Sequence, residues 1–197
     1  MKTLFTIPIL LFSLLLGAPS YSADFNKGVI AAQSGDWATA LKEWKPIAEE
    51  GNAAAQFNLG LMYQNGYGVP QDYKESVYWY RLAAEQGDAD SQYNLGVMYE
   101  RGYGVSKDDK EAVNWYRLSA VQGLTDAQYN LGFMYNNGKG VPTDKVYAYM
   151  WFNIAAANGD KDAEEKRNKL SKTLSQSQIE EAERLARECV KKNYKGC

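Results

Sequence analysis

The sequence predicts an all-α protein: an α-solenoid of stacked antiparallel helix pairs, closed by a C-terminal capping helix. Three observations predict it. The stretch Asn58-Leu59-Gly60-Leu61-Met62-Tyr63 returns as Asn94-Leu95-Gly96-Val97-Met98-Tyr99 and again as Asn130-Leu131-Gly132-Phe133-Met134-Tyr135, with 36 residues between copies. A fixed period in the range of about 20–50 residues marks stacked units that cannot bury their apolar faces alone. The frame also carries Trp79, Trp115 and Trp151, and Gly87, Gly123 and Gly159. Within each period the apolar residues recur at spacings of three and four, the period of a helix and not of a strand.

The chain opens with Met1-Lys2-Thr3 and an apolar run from Leu4 to Ala18, followed by the small residues Ser20, Ser22 and Ala23. One basic residue, a short apolar core and small residues predict a secretory signal peptide over 1–23, cleaved near Ser20–Ala23. The run is shorter than the roughly 20 apolar residues of a membrane span. The expected location is the periplasm or the exterior, with no stable membrane insertion after cleavage. Loss of Lys2 moves the net charge from −2 to −3, and no basic stripe is present, so nucleic acid is not an expected partner. The rest, 24–197, is enough for one elongated domain with a continuous core.

Residues 24–52 read as a first, shorter hairpin. Phe25, Val29 and Ala32 share one face, Trp37, Leu41, Trp44, Ile47 and Ala48 another, and Gly35-Asp36 supplies a stop and a cap. In the next unit the first helix, A, is expected from about Ala53 to Gln64 behind Asn52 as cap. Gly60 weakens such a helix by about 1 kcal/mol relative to alanine. Its return at Gly96 and Gly132 therefore predicts close approach of the partner helix. Gly66 should end the helix in a left-handed turn. The second helix, B, begins at the cap Asp72, with Glu75 three residues on; Asp108 and Glu111 repeat the pair, and Asp144 keeps the cap alone. Where the other units have Asn52, Asp88 and Asp160, the fourth has Leu124, so Thr125 is expected to take over the cap.

Beyond Gly159 the pattern fades. Residues 161–197 form the expected C-terminal cap: a charged A-type helix with a solvated face, then a last helix opened by the capping box Ser175-Gln176-Ser177-Gln178. Ile179, Ala182, Leu185, Ala186, Cys189 and Val190 make its apolar stripe. A terminal unit of changed character is required of an open stack, which must cover its last apolar face. The two cysteines, Cys189 and Cys197, are an even, closely spaced pair in a chain with an export signal, and this favours a disulfide.

The pattern Ala-x-Asn-Leu-Gly-x-Met-Tyr-x-x-Gly-x-Gly-Val, then Asp, then Trp-Tyr-x-x-Ala-Ala-x-x-Gly resembles the Sel1-like repeat, a relative of the tetratricopeptide repeat. It reads Ala55 to Gly60 through Trp79 to Gly87 and returns one period later. The likeness covers 53–160 strongly and 24–52 weakly, where the hairpin is closer to a tetratricopeptide unit. It implies a right-handed solenoid with a concave face lined by A helices. It also implies a protein- or peptide-binding adaptor, which in exported bacterial members often serves the envelope.

The chain contains no histidine, which removes Ser-His-acid and Cys-His nucleophile pairs and the commonest general base. No serine stands three places before a lysine in a β-lactamase-like pair. Some cysteine-rich relatives are associated with β-lactam hydrolysis, but they carry a cysteine pair in each repeat, and 53–160 carries none. The expectation is a non-enzyme without cofactor or metal, monomeric, binding an unknown envelope protein or peptide. The alternatives are a weak β-lactam hydrolase, a peptidoglycan or glycan binder marked by exposed tyrosines, and a secreted effector. Three sets are the expected contact residues. Asn58, Asn94 and Asn130 recur once per unit and form either an amide ladder for a ligand or internal bonds. Gln64/Asn65, Glu100/Arg101 and Asn136/Asn137 end the A helices and differ between units, as selectivity requires. Tyr67 and Tyr103, with Lys139 in the third copy, vary in the same way on the loops. Phe57, Tyr93 and Tyr129 are either exposed aromatics or core, and the tryptophan series is core.

Overall fold

The computed structural model describes residues 23–194 and 196–197, so the predicted signal peptide lies outside them apart from Ala23. The described residues form ten helices and no strand: α1 Phe25–Gln33, α2 Trp37–Glu49, α3 Ala53–Asn65, α4 Tyr73–Glu85, α5 Ala89–Arg101, α6 Asp109–Ala120, α7 Thr125–Asn137, α8 Lys145–Ala157, α9 Lys161–Ser171 and α10 Gln176–Lys191. Helices pack in consecutive pairs, α1 with α2 through α7 with α8, and each pair meets the next through α2–α3, α4–α5, α6–α7 and α8–α9. Helices α3, α5, α7 and α9 are thus the A helices, and α4, α6 and α8 the B helices. No helix among the described residues is long and apolar enough to cross a membrane.

Side-chain caps set the phase of each unit. Asn52, Asp88 and Asp160 accept the N–H groups of Ala55, Ser91 and Ala163 at the A-helix starts. Asp72, Asp108 and Asp144 each accept two N–H groups at the B-helix starts. Thr125 does not take over the missing cap. It lies inside α7, behind an N-cap Leu124 that has no side-chain bond. Leu124 keeps the extended backbone of its counterparts and packs its side chain against the core, so apolar contact holds the start that hydrogen bonding holds elsewhere.

The recurrent glycine of the A helices is a contact point. A Cβ at Gly60 would stand 2.5 Å from the Tyr80 ring, and one at Gly96 would stand 2.7 Å from Tyr116. At Gly132 the neighbour is Phe152, at 2.9 Å. Bare backbone at these positions lets a large aromatic of helix B lie flat against helix A. The A-to-B loops seat backward on the preceding unit. Gly104 and Gly140, both in the left-handed region, press on the backbone of Tyr73 and Asp109 respectively, where no Cβ would fit.

The C-terminal end departs from the pairing rule, because α10 packs mainly on α8. Helix α8 buries Ala148 through Phe152 without interruption, together with Ile154 and Ala155. A helix apolar on nearly every side needs cover on more than one. Helix α9 covers one side, and α10 lays Ala182, Ala186 and Cys189 on another. The expected Ser175–Gln178 capping box is present at its start. Cys189 and Cys197 are joined as a disulfide, and the tail turns back through left-handed Asn193, Tyr194 and Gly196.

Candidate functional site

The variable polar residues lie in the last turn of each A helix, where the B helix of the same unit reaches them. Tyr80 is fully buried and donates its hydroxyl to Gln64 Oε1 at 2.6 Å. One unit on, Tyr116 donates to Glu100 Oε2 at 2.8 Å. Burial first, then the Glu100 charge, push the Tyr116 hydroxyl far above the ordinary tyrosine value, so it remains a donor. Burial raises Tyr80 in the same direction. In the fourth unit Phe152 replaces the tyrosine and has no hydroxyl to give. Asn136 is left with a 3.4 Å bond to its neighbour Asn137. Asn65 and Asn137 each turn their amide to a carbonyl of their own helix, Leu61 and Phe133.

The loop residues stack between units. The Tyr67 ring lies 4.6 Å from that of Trp37, and the Tyr103 ring 4.9 Å from that of Tyr73, both nearly parallel. Each tyrosine thus has one face committed to the preceding B-helix start while it stays 44% and 39% exposed. The Tyr103 hydroxyl near Arg101 raises the already high guanidinium pKa. Lys139 takes the third place differently. Its ammonium stands 3.4 Å from Glu100 Oε1 and 5.0 Å above the centre of the Phe133 ring.

The asparagine series is half-buried at every copy. Asn130 lies near the Tyr93 and Tyr116 hydroxyls, where its side chain partly offsets the rise that burial gives their pKa values. Asn94 lines an open cleft. Phe57, Tyr93 and Tyr129 pack tilted against Tyr80, Tyr116 and Phe152, with centroids 5.7–6.0 Å apart. They are the outer layer of the helix pair, half-buried and not free-standing.

Neighbouring A helices diverge enough to leave clefts between them. The α3–α5 cleft, about 250 Å³, is lined by Gln64, Asn65, Tyr73, Asn94, Val97 and Arg101 among others. The α7–α9 cleft, about 310 Å³, takes in Phe133, Asn136, Asn137, Phe152 and Leu170, with Lys145, Lys166 and Lys169. Between them, in the α5–α7 gap, Lys139 lies across Phe133 to Glu100. Five of the predicted residues, Gln64, Asn65, Asn94, Arg101 and Tyr103, therefore meet in one cleft, and Asn136 and Asn137 meet in the other.

Two features escaped the sequence reading. Gln56, Gln92 and Gln128 are buried in the A helices and donate to the carbonyls of Ala48, Ala84 and Ala120 at the end of the preceding B helix. Their own oxygens accept from Gln86, Gln122 and Asn158. This ladder staples each unit to the one before. The 36-residue return of glutamine at an otherwise apolar position was the signal available for it. The three lysines of the α7–α9 cleft left no such signal, because they come from different helices.

Among known families, the Sel1 repeat matches residues 53–88, 89–124 and 125–160. Among solved structures, the chain is similar to a Sel1 repeat protein from Oxalobacter formigenes, at 33% identity and a TM-score of 0.70, over 73% of this chain and 59% of that one. It is also similar to a protective antigen present in uropathogenic Escherichia coli strains that displays an SLR fold. There the identity is 31% and the TM-score 0.73, over 85% of this chain and 41% of the antigen. The chain thus spans 59% and 41% of these two relatives' lengths. No curated protein matches its sequence.

Proposed function

The chain belongs to the Sel1 repeat family, and we propose that it is a non-enzymatic scaffold of the bacterial cell envelope that holds a protein or peptide against its A-helix face. The observation that carries this reading is the contrast between framework and lining. Beneath the surface, each unit repeats the glycine–aromatic contact and the glutamine staple. At the ends of the A helices, the same phases hold Gln64, Glu100 and Asn136, or Asn65, Arg101 and Asn137. A surface that varies over an invariant support is the arrangement of a solenoid that selects partners by side-chain display. Export is supported by the leader-like residues 1–23, and the Cys189–Cys197 disulfide is compatible with an oxidising compartment. The chain acts as a monomer in this reading.

A photo-crosslinking side chain placed at position 64, 100 or 136, with Tyr78 on the exposed side of α4 as control, tests it in the native envelope. Capture of one protein from the A-helix positions alone is the expected result. Equal capture from position 78, or no protein from any A-helix position, removes the scaffold reading.

A further inference from the structure

We propose that the α7–α9 cleft is a docking site for an acidic peptide segment that inserts one apolar side chain between its carboxylates. The proposal rests on the scaffold reading and specifies what one of its clefts takes. The cleft is the repeat's own site and not an accidental hollow. Asn136, Asn137, Lys145, Lys166, Lys169 and Leu170 occupy the phases that Gln64, Asn65, Tyr73, Asn94, Val97 and Met98 occupy in the α3–α5 cleft, two periods earlier. At three of these phases a neutral residue has become lysine. The chain as a whole carries net charge −2, so this local excess runs against its overall balance.

None of the three lysines forms an ion pair among the described residues. The nearest acids in sequence do not neutralise them. Asp144, beside Lys145, caps α8 by accepting the N–H groups of Val146 and Tyr147, Glu164 faces Arg167 at 3.5 Å, and Glu165 is exposed without an ion pair. Beneath the ammonium groups lies an apolar floor of Phe133, Phe152 and Leu170, the last two almost fully buried. Because Phe152 has no hydroxyl, Asn136 is not engaged as Gln64 and Glu100 are: its amide N–H makes only the long 3.4 Å bond to Asn137, and its oxygen is left to accept from a peptide backbone. The chain's own side chain fills the preceding gap, where Lys139 lies over Phe133 and pairs with Glu100. No such residue can reach the last gap, since α9 is followed by a short turn into α10 and not by a long loop seated backward.

Ammonium groups around an apolar floor select carboxylates beside an apolar side chain, and the contribution of exposed pairs falls as salt rises. Blocked octapeptides with two glutamates flanking one phenylalanine, and the same peptides with glutamine, are titrated against the purified full chain by fluorescence anisotropy. The glutamate peptides should bind about tenfold more tightly at low salt and lose most of that margin at high salt. Lys166→Gln with Lys169→Gln should abolish the preference, and Lys145→Gln on α8 should weaken it independently. Lys74→Gln, exposed on α4 and outside both clefts, should leave it intact. Circular dichroism confirms that each variant is folded. Equal binding of the glutamine peptides, an unchanged preference in both lysine variants, or binding of anionic vesicles in place of peptide overturns the proposal. If acidic peptides fail while crosslinks from positions 64 and 100 still capture a protein, the scaffold reading stands and this cleft assignment falls. If both fail, both fall.

Discussion

Tyr116 hands its buried hydroxyl to Glu100 across 2.8 Å, and the same carboxylate holds Lys139 of the next unit at 3.4 Å. Glu100 thus joins the inside of one repeat to the loop of the following one. The equivalent pairing is neutral in the preceding unit, Tyr80 with Gln64, and is lost in the following one, where Phe152 faces Asn136. One position therefore runs from sealed to open along the stack.

Tyr116→Phe should lower stability by about 1.5–3 kcal/mol, the range of a hydrogen bond to a charged group. Phe152→Tyr supplies Asn136 with the missing hydroxyl and should change stability by less than about 1 kcal/mol. Urea denaturation followed by circular dichroism measures both. A loss below about 0.5 kcal/mol for Tyr116→Phe would mean that water satisfies Glu100 equally well.

Gly96→Ala places a methyl group 2.7 Å from the Tyr116 ring, a distance that one side must relieve by moving. Alanine's better helix propensity offsets about 1 kcal/mol. Overpacking of a buried contact costs about 1–3 kcal/mol, and separation of α5 from α6 adds to it. The expected result is a net loss seen as a lower thermal midpoint. An unchanged or raised midpoint would show that helix propensity outweighs the contact.

Gln92→Leu removes the donor to the Ala84 carbonyl and the acceptor for Gln122 in a site only 4% exposed. Leaving buried polar groups unsatisfied costs about 1–3 kcal/mol each. Gln122→Leu added to it should cost less than Gln122→Leu alone, because the two share a bond. A double-mutant cycle by chemical denaturation reads the coupling, and strict additivity would show that the staple does not link the units.

Asp90 carries a raised pKa, caused first by desolvation and then by repulsion from Asp88 and Asp126. A carboxyl whose pKa is higher folded than unfolded binds its proton more tightly in the folded state. Its contribution is fully present below the unfolded value and is lost as pH rises through the folded one. Asp90→Asn should therefore raise the thermal midpoint at neutral pH, with the gain vanishing well below the carboxylate range. A gain that persists in acid would assign the effect to packing instead.

Much of this was legible in the sequence. The helix positions, the aspartate caps and the glycine that brings α5 against Tyr116 all follow from residues repeating in one phase. Local backbone preference and apolar periodicity act over a few residues, so the chain writes them in order. Thr125 shows the limit of that reading: Leu124, which has no capping oxygen, holds the helix start by packing, a contact made with other helices. The same limit applies to the clefts. Lys145, Lys166 and Lys169 lie on two helices, and within α9 the last two read only as part of a charged, solvated face. Their shared cleft exists because α9 takes the A-helix place beside α7 while α10 packs on α8. Repetition along the chain determined the units, whereas the crossing of helices from different units decided which polar groups are spent inside and which face a partner.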